Sequence, residues 1–103
     1  MIEQLFDPKL VSQLLVTIGD VSEVTGIPQR KLRYWEDKGI IISSCQKEGG
    51  TRKFDYLNIK KILLIKELID EGFTLDASVK KVEERIKKLE EAFEKIKEKT
   101  QIN

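Results

Sequence analysis

The chain has 103 residues, 36% of them charged, with one cysteine, no histidine and a formal net charge of +1. This length fits one small domain, or one small domain plus an extended arm. The single cysteine excludes an internal disulfide, and the lack of histidine leaves only carboxylates and one thiol as metal ligands. No apolar stretch approaches the roughly 20 residues of a membrane span and no signal peptide is visible, so we expect a cytoplasmic protein.

Charge is distributed unevenly along the chain. Residues 1–27 carry one basic and four acidic side chains, and residues 55–103 carry eleven of each. Residues 28–54 carry seven basic and three acidic side chains. Positive charge concentrated on one short segment is typical of a nucleic-acid-binding surface.

Residues 1–16 predict a short helical extension, because Asp7 is suited to cap a helix and Pro8 to its first turn. Thr17, with Asp20 three positions later, resembles a capping box. It predicts the first helix of a helix-turn-helix, over residues 18–25. We expect the apolar face of that helix to consist of Ile18, Val21 and Val24.

The second helix of the motif is basic and aromatic. Gly26 marks the turn, Pro28 starts the helix, and Gly39 ends it in the left-handed conformation. Tyr34 and Trp35 are neighbours and therefore point about 100° apart around the helix axis. We expect Trp35 to lie in the core rather than to stack on a base.

A β-hairpin is predicted next. The β-branched run at residues 40–42 predicts one strand, residues 52–54 predict its partner, and the polar residues between them predict the loop. Cys45 lies in this hairpin. A lone thiol lacks the companion ligands that a tetrahedral metal site needs, so we expect no metal and no cofactor.

Two helices complete the chain. Asp55 is suited to cap the first, which Gly72 ends. From Leu75 onwards no Gly or Pro occurs, and apolar residues recur at alternating spacings of four and three. This is the heptad period of a coiled coil. The apolar seam consists of Leu75, Val79, Val82, Ile86, Leu89, Phe93 and Ile96.

Two interpretations of the seam remain open: it folds back on its own domain, or it pairs with a second chain. We expect its first three residues to cover the preceding helix. The remaining four are the predicted dimer interface: Ile86, Leu89, Phe93 and Ile96. The predicted organisation is an extension over residues 1–16, a DNA-binding domain over 17–84 and a dimerisation helix over 85–103.

In combination, these motifs resemble the DNA-binding half of the MerR family of bacterial transcription regulators. The family's motifs occur here in order: its helix start at residues 17–21, its turn and second helix at 25–40, and its Gly-x-Arg-x-aromatic run at 50–54. Residues 71–75 follow the family pattern as well. The resemblance covers residues 17–84. It implies a mainly α fold, a winged helix-turn-helix with a short β-hairpin wing and a C-terminal coiled-coil-like helix.

The resemblance also implies a function. Such a protein is a sequence-specific transcription regulator that binds double-stranded DNA as a homodimer at a pseudo-palindromic promoter site. Relatives bend and untwist an over-long promoter spacer so that RNA polymerase engages it, which makes the polymerase a candidate partner. Family members that sense ligands do so after a long dimerisation helix, and since this chain ends at Asn103 we expect no small-molecule effector. We find no nucleophile–base pair in the sequence and expect no enzymatic activity.

Candidate DNA contacts come from the basic segment. Phosphate contacts fix the register of a protein on DNA, whereas contacts with base edges read its sequence. The resemblance assigns Arg33 and Tyr34 to sugar-phosphate, and Arg52 to a phosphate that its guanidinium can hold through two hydrogen bonds. Gln29 and Arg30, near the helix start, are the candidates for base edges. The full set is Thr17, Gln29, Arg30, Lys31, Arg33, Tyr34, Lys38, Lys47, Arg52 and Lys53.

Two other functions fit the same residues. An architectural or excisionase-like protein uses this fold to bend DNA without regulating a promoter, and it would occupy many dispersed sites. A coiled-coil protein-interaction module would keep the helices and lose DNA binding. The positive charge of residues 28–54 argues against the second alternative.

Overall fold

The computed structural model describes residues 7–44 and 51–102, with their side chains except at positions 12 and 97–102. These residues form helices and two short strands, none of the helices being long and apolar enough to cross a membrane. The elements are α1 (Pro8–Gln13), β1 (Leu15–Thr17), α2 (Ile18–Thr25), α3 (Gln29–Asp37), β2 (Lys53–Asp55), α4 (Tyr56–Asp70) and α5 (Leu75–Ile102). The mainly helical architecture with a small antiparallel sheet confirms the predicted fold class.

The chain divides into two compact units, residues 1–63 and 64–103. The predicted functional boundaries at 16/17 and 84/85 stay predictions. The first of them falls inside β1 and the second inside α5.

The predicted helix starts in the first unit are confirmed. The Asp7 carboxylate accepts hydrogen bonds from the backbone N–H groups of Lys9 and Leu10 at 3.1 and 3.2 Å. The Thr17 hydroxyl accepts one from the backbone N–H of Asp20 at 3.3 Å. These side chains satisfy amide groups that the first turn of a helix leaves without partners.

The turn between α2 and α3 is held by side-chain hydrogen bonds. The buried Thr25 hydroxyl donates to the Val21 carbonyl at 2.8 Å and accepts from the Ile27 N–H at 3.2 Å. The Ser22 hydroxyl donates to the Ile27 carbonyl at 2.6 Å. Gly26 has φ 76°, the left-handed conformation that glycine adopts without steric cost.

One residue of the predicted apolar face of α2 is misplaced. Ile18 and Val21 are buried as expected, but Val24 is 71% exposed. The third buried position of α2 is Thr25, seven residues after Ile18 and therefore almost two full helical turns along the same face.

The small sheet pairs different strands from those predicted. The strand predicted at residues 52–54 lies one residue later, at Lys53–Asp55. Its partner is Leu15–Thr17, antiparallel, with Val16 opposite Phe54. Residues 40–42 are not a strand. Residues 45–50, which include Cys45 and Lys47, lie outside the described residues.

Hydrogen bonding explains why residues 40–42 form no strand. The N–H of Gly39 donates to the Glu36 carbonyl and the N–H of Ile40 to the Trp35 carbonyl, both at 2.9 Å. This Schellman motif caps α3 around Gly39, whose φ is 79°. The N–H of Ile42 donates to the Asn58 side chain at 2.9 Å. The N–H groups of Ile40 and Ile42 therefore donate their hydrogen bonds outside any sheet.

The first unit has a core of large apolar side chains. Trp35, Leu32, Ile41 and Phe54 are at most 1% exposed. Burial at this level confirms the expectation for Trp35. The other buried apolar residues of this unit are Ile18, Val21, Ile27, Ile40 and Ile62.

In the second unit, α5 begins and continues as predicted. The Thr74 hydroxyl accepts from the Ala77 N–H at 3.1 Å, and Gly72 has φ 108°. Along the seam, Val82 is fully buried and Ile86 is half-buried. The last three seam residues, Leu89, Phe93 and Ile96, are 59, 64 and 58% exposed.

Candidate nucleic-acid interface

The helix α3 separates a buried face from an exposed basic face. Leu32 and Trp35 anchor it in the core. All six candidate DNA contacts in and just after this helix are exposed: Gln29, Arg30, Lys31, Arg33, Tyr34 and Lys38. The structure therefore brings these predicted residues together on one continuous surface.

Gln29 is held at one margin of this face. An Arg33 Nη2 group donates to its Oε1 at 3.3 Å. Its Nε2 lies 3.6 Å from the position that a Cβ would take on Gly19, in the first turn of α2. The amide of Gln29 therefore lies beside Gly19 at the start of α2, two residues after the capping residue Thr17.

Tyr34 and Lys38 form a second pair on α3. The Lys38 ammonium lies 5.4 Å from the centre of the Tyr34 ring, within the range of a cation–π interaction. The Tyr34 side chain is still 52% exposed. Both groups are therefore accessible to a ligand that approaches the exposed face.

The sheet carries two candidate contacts. Lys53 is exposed and lies directly opposite Thr17 in the register of β1 and β2. Thr17 itself is half-buried, and its hydroxyl is engaged at the start of α2.

Arg52 is not a solvated cation. Its Nε lies 2.7 Å from Oε1 of Glu36, and the two side chains are 40 and 19% exposed. Its backbone carbonyl accepts from the N–H of Ile18 at 3.0 Å. The Ser43 hydroxyl donates to the other Glu36 oxygen, Oε2. The predicted phosphate ligand thus shares its guanidinium with a carboxylate of α3.

Glu36 and Ser43 contribute contacts to this region although neither was predicted as a functional residue. Their signal in the sequence is weak, since an acid in a basic helix suggests only a charge that opposes DNA. Pairing Glu36 with Arg52 requires the fold that brings residues 36 and 52 together. Within the described residues, no group of three His, Cys, Asp or Glu side chains is placed to hold a metal ion.

Comparison with known proteins decides the family. A family model described as MerR HTH family regulatory protein matches residues 16–89. The chain belongs to the MerR family. The match contains residues 17–84, for which the resemblance was expected.

Curated MerR relatives carry the names of transcription regulators. The HTH-type transcriptional regulator GlnR of Bacillus anthracis is 34% identical over 68 residues, which are 66% of this chain and 51% of GlnR. The regulator CueR of Escherichia coli is 27% identical over 63 residues, 61% of this chain and 47% of CueR. The chain therefore spans about half the length of these relatives.

Solved MerR structures share the fold. A MerR family regulator from Bacillus cereus superposes with a TM-score of 0.58 at 19% identity, covering 82% of this chain and 74% of that one. HiNmlR, a MerR family regulator that lacks the sensor domain and was solved bound to promoter DNA, superposes with a TM-score of 0.59 at 22% identity. That match covers 85% of this chain and 69% of HiNmlR.

Proposed function

We propose that this MerR-family chain is a sequence-specific DNA-binding transcription regulator that acts as a homodimer on a pseudo-palindromic promoter site. The observation that carries the proposal is the exposed basic face of α3, anchored from behind by Leu32 and Trp35. The names of the curated relatives and the promoter-bound state of HiNmlR support it.

The dimensions of α3 suit a major groove. A helix with its side chains is about 10–12 Å across, and the major groove of B-DNA is about 12 Å wide. At about 100° per residue, Arg30 and Tyr34 lie near the middle of the exposed face, with Gln29 and Lys31 at its margins. A helix whose first turn enters the groove with this face would present Arg30 and Gln29 to the base edges, and Lys31, on the opposite margin from Gln29, to a phosphate strand.

The bond between Arg33 and Gln29 refines the predicted roles. One lone pair of Gln29 Oε1 is used by Arg33, which leaves the second lone pair and the amide N–H groups for a base. A glutamine in this state can still make the paired contacts that identify adenine. Arg33 therefore has two proposed roles: it contacts phosphate, and it fixes the orientation of the Gln29 amide.

The seam of α5 supports the homodimer. Leu89, Phe93 and Ile96 are all more than half exposed and recur at heptad spacing, so together they form an apolar stripe that a second copy can cover. Two DNA-binding units related by a twofold axis read two half-sites, which is the physical basis of a pseudo-palindromic operator.

A selection experiment followed by salt titration tests the proposal. DNA bound by the protein is selected from a random pool, and its affinity is then measured against random DNA. If a dimer neutralises about 6 to 10 phosphates, affinity falls roughly 10³–10⁵-fold between 50 and 200 mM salt. A salt-independent affinity would contradict the electrostatic account, and no binding at all would favour the interaction-module alternative.

Adjacent exposed residues provide a matched pair of variants. Arg30→Ala and Lys31→Ala each remove one cation from α3. We expect Lys31→Ala to weaken binding to every sequence and to reduce the salt slope by about one, and Arg30→Ala to relax base preference at one position by about 1–3 kcal/mol. Lys80→Ala, an exposed cation of α5, is the control that should change neither. Equal effects of Arg30→Ala and Lys31→Ala would refute the assigned roles.

A further inference from the structure

Both oxygens of the Glu36 carboxylate are engaged by residues that flank the predicted wing. Oε2 accepts from the Ser43 hydroxyl, and Oε1 lies 2.7 Å from Arg52 Nε. The Glu36 side chain is only 19% exposed. An acid in the last turn of α3 thus contacts both residues that flank the wing segment, which we define as residues 44–51.

Backbone hydrogen bonds join the same place to the rest of the first unit. The N–H of Ser44 donates to the Lys53 carbonyl at 2.7 Å, so the two ends of the wing segment are held together. The Arg52 carbonyl accepts from Ile18 at the start of α2 at 3.0 Å. One carboxylate therefore connects the end of α3 to the two ends of the wing segment and, through Arg52, to the start of α2.

The pair also positions the guanidinium of Arg52. An arginine side chain has five N–H donors in a planar fork. The Nε atom of Arg52 forms an ion pair with Glu36 Oε1 at 2.7 Å, without the geometry of a hydrogen bond. The four donors on the two Nη atoms remain for a phosphate. An ion pair with a largely buried carboxylate holds the guanidinium near Glu36 more firmly than water would, because the attraction is less screened there.

We propose that Glu36 is a positioning residue for DNA recognition: it holds Ser43 and Arg52 against α3, so that phosphate and base contacts form in one register. The proposal rests on the proposed DNA-binding function. It explains why an acid that repels DNA stands in the recognition helix. Phosphate contacts fix the position of a recognition helix in its groove. A loosely held Arg52 would therefore weaken the discrimination between bases without weakening the affinity for random DNA.

Glu36 has two opposing effects on DNA binding, and they change different measured affinities. Removing an acid beside DNA strengthens binding to any sequence, because less negative charge faces the phosphates. Removing a positioning residue lowers only the ratio of operator affinity to random-DNA affinity. Asp37, the next residue of α3, carries the same charge and is exposed, so it provides the matched control.

The experiment measures the affinity of the full chain for its selected operator and for random DNA, using Glu36→Ala, Asp37→Ala and Ser43→Ala. We expect both acid variants to bind random DNA a few-fold more tightly than wild type. Of the two acid variants, only Glu36→Ala should also lose about tenfold in the operator-to-random ratio, which corresponds to about 1.4 kcal/mol. Ser43→Ala should lower the ratio by less, with no change in random binding, because it alters no charge.

Equal ratios for Glu36→Ala and Asp37→Ala would overturn the positioning role and leave a plain charge effect. Circular dichroism melting checks the fold of each variant. If Glu36→Ala does not fold, Glu36→Gln against Asp37→Asn is judged by the same ratio, since glutamine keeps the shape of the side chain. The wild-type measurement distinguishes failure of the proposed function from failure of this inference. If the wild type binds no DNA, the proposed function is refuted. If the wild type and Glu36→Ala discriminate operator from random DNA equally well, only this inference is refuted.

Discussion

Two neighbouring aromatic residues of α3 have opposite environments. Trp35 is 1% exposed, and its indole N–H has no hydrogen-bond partner among the described residues. Tyr34 is 52% exposed and lies on the basic face. Trp35 therefore contributes through apolar packing, whereas Tyr34 is available to a ligand.

This difference predicts separate effects on stability. We expect Trp35→Ala to lower the free energy of unfolding by about 3–5 kcal/mol, because it leaves a large cavity. Trp35→Phe should cost clearly less, since it keeps much of the ring and breaks no hydrogen bond seen in the described residues. Tyr34→Ala is the control and should stay near wild type in stability. Urea denaturation measures all three, and a larger loss for Tyr34→Ala than for Trp35→Ala would contradict the assignment.

Glu36 illustrates what a single residue can hide in a sequence. Its position in a basic helix suggests only repulsion of DNA, but in the fold its carboxylate is paired with Arg52 and Ser43. The cations Arg30, Lys31 and Arg33 are exposed, as the helical periodicity of α3 requires. Their individual roles on DNA stay predictions.

At the scale of elements, the α2–turn–α3 motif is fixed by local chemistry. Its start is capped by Thr17, and its turn depends on the left-handed Gly26. Gly19, in the first turn of α2, differs from Gly26 because its φ is not in the left-handed range. A Cβ at Gly19 would make an ordinary contact of 3.6 Å with the Gln29 amide.

The two glycines should therefore respond in opposite ways to alanine. Gly26→Ala should destabilise the fold by about 1–2 kcal/mol, the cost of a left-handed conformation for a residue with a Cβ. Gly19→Ala should be neutral or stabilise the fold by up to about 1 kcal/mol, because alanine favours a helix more than glycine does. Thermal unfolding of both variants checks this, and destabilisation of equal size at the two sites would contradict it.

The wing is where prediction of elements went wrong. The β-branched run at residues 40–42 predicted a strand, but two of its residues are buried and the third, Ile42, is 71% exposed. A short apolar run indicates burial as well as a strand, and periodicity alone does not separate them. Here the Schellman motif at Gly39 uses the N–H of Ile40, and β2 pairs with β1 instead.

At the scale of the whole molecule, the exposed end of the α5 seam is the feature that supports the proposed homodimer. Phe93 is 64% exposed, more than either of its neighbours in the seam, Leu89 and Ile96. Three apolar residues with this spacing on a helix rich in Lys and Glu form a narrow stripe of the kind that a second helix covers.

We predict that Phe93→Glu converts a dimer into a monomer, because a buried charge without a partner costs several kcal/mol. Lys95→Glu, two residues further along α5 and off the seam, is the control and should remain dimeric. Sedimentation equilibrium measures the oligomeric state, and circular dichroism checks that the variant stays helical. If Phe93→Glu still dimerises, the interface lies elsewhere, and the α1 region would be the next surface to test.

The sequence by itself determined the features that depend on neighbours along the chain. The caps at Asp7 and Thr17, the bounds of α2 and the left-handed glycines follow from hydrogen bonds and sterics within a few residues. The order of its motifs also determined the MerR family, which the match over residues 16–89 confirms.

Only the tertiary structure decided which distant groups meet. No local pattern relates β2 to β1 or Glu36 to Arg52, yet the fold pairs them. The exposure of Val24 likewise depends on the packing of α2 and not on its own sequence. From the sequence alone, several segments could pair with the edge of β2, and several basic residues could pair with the Glu36 carboxylate. The choice among them depends on which side chains are buried together, since burial in a common core determines which backbone and charged groups come within bonding distance.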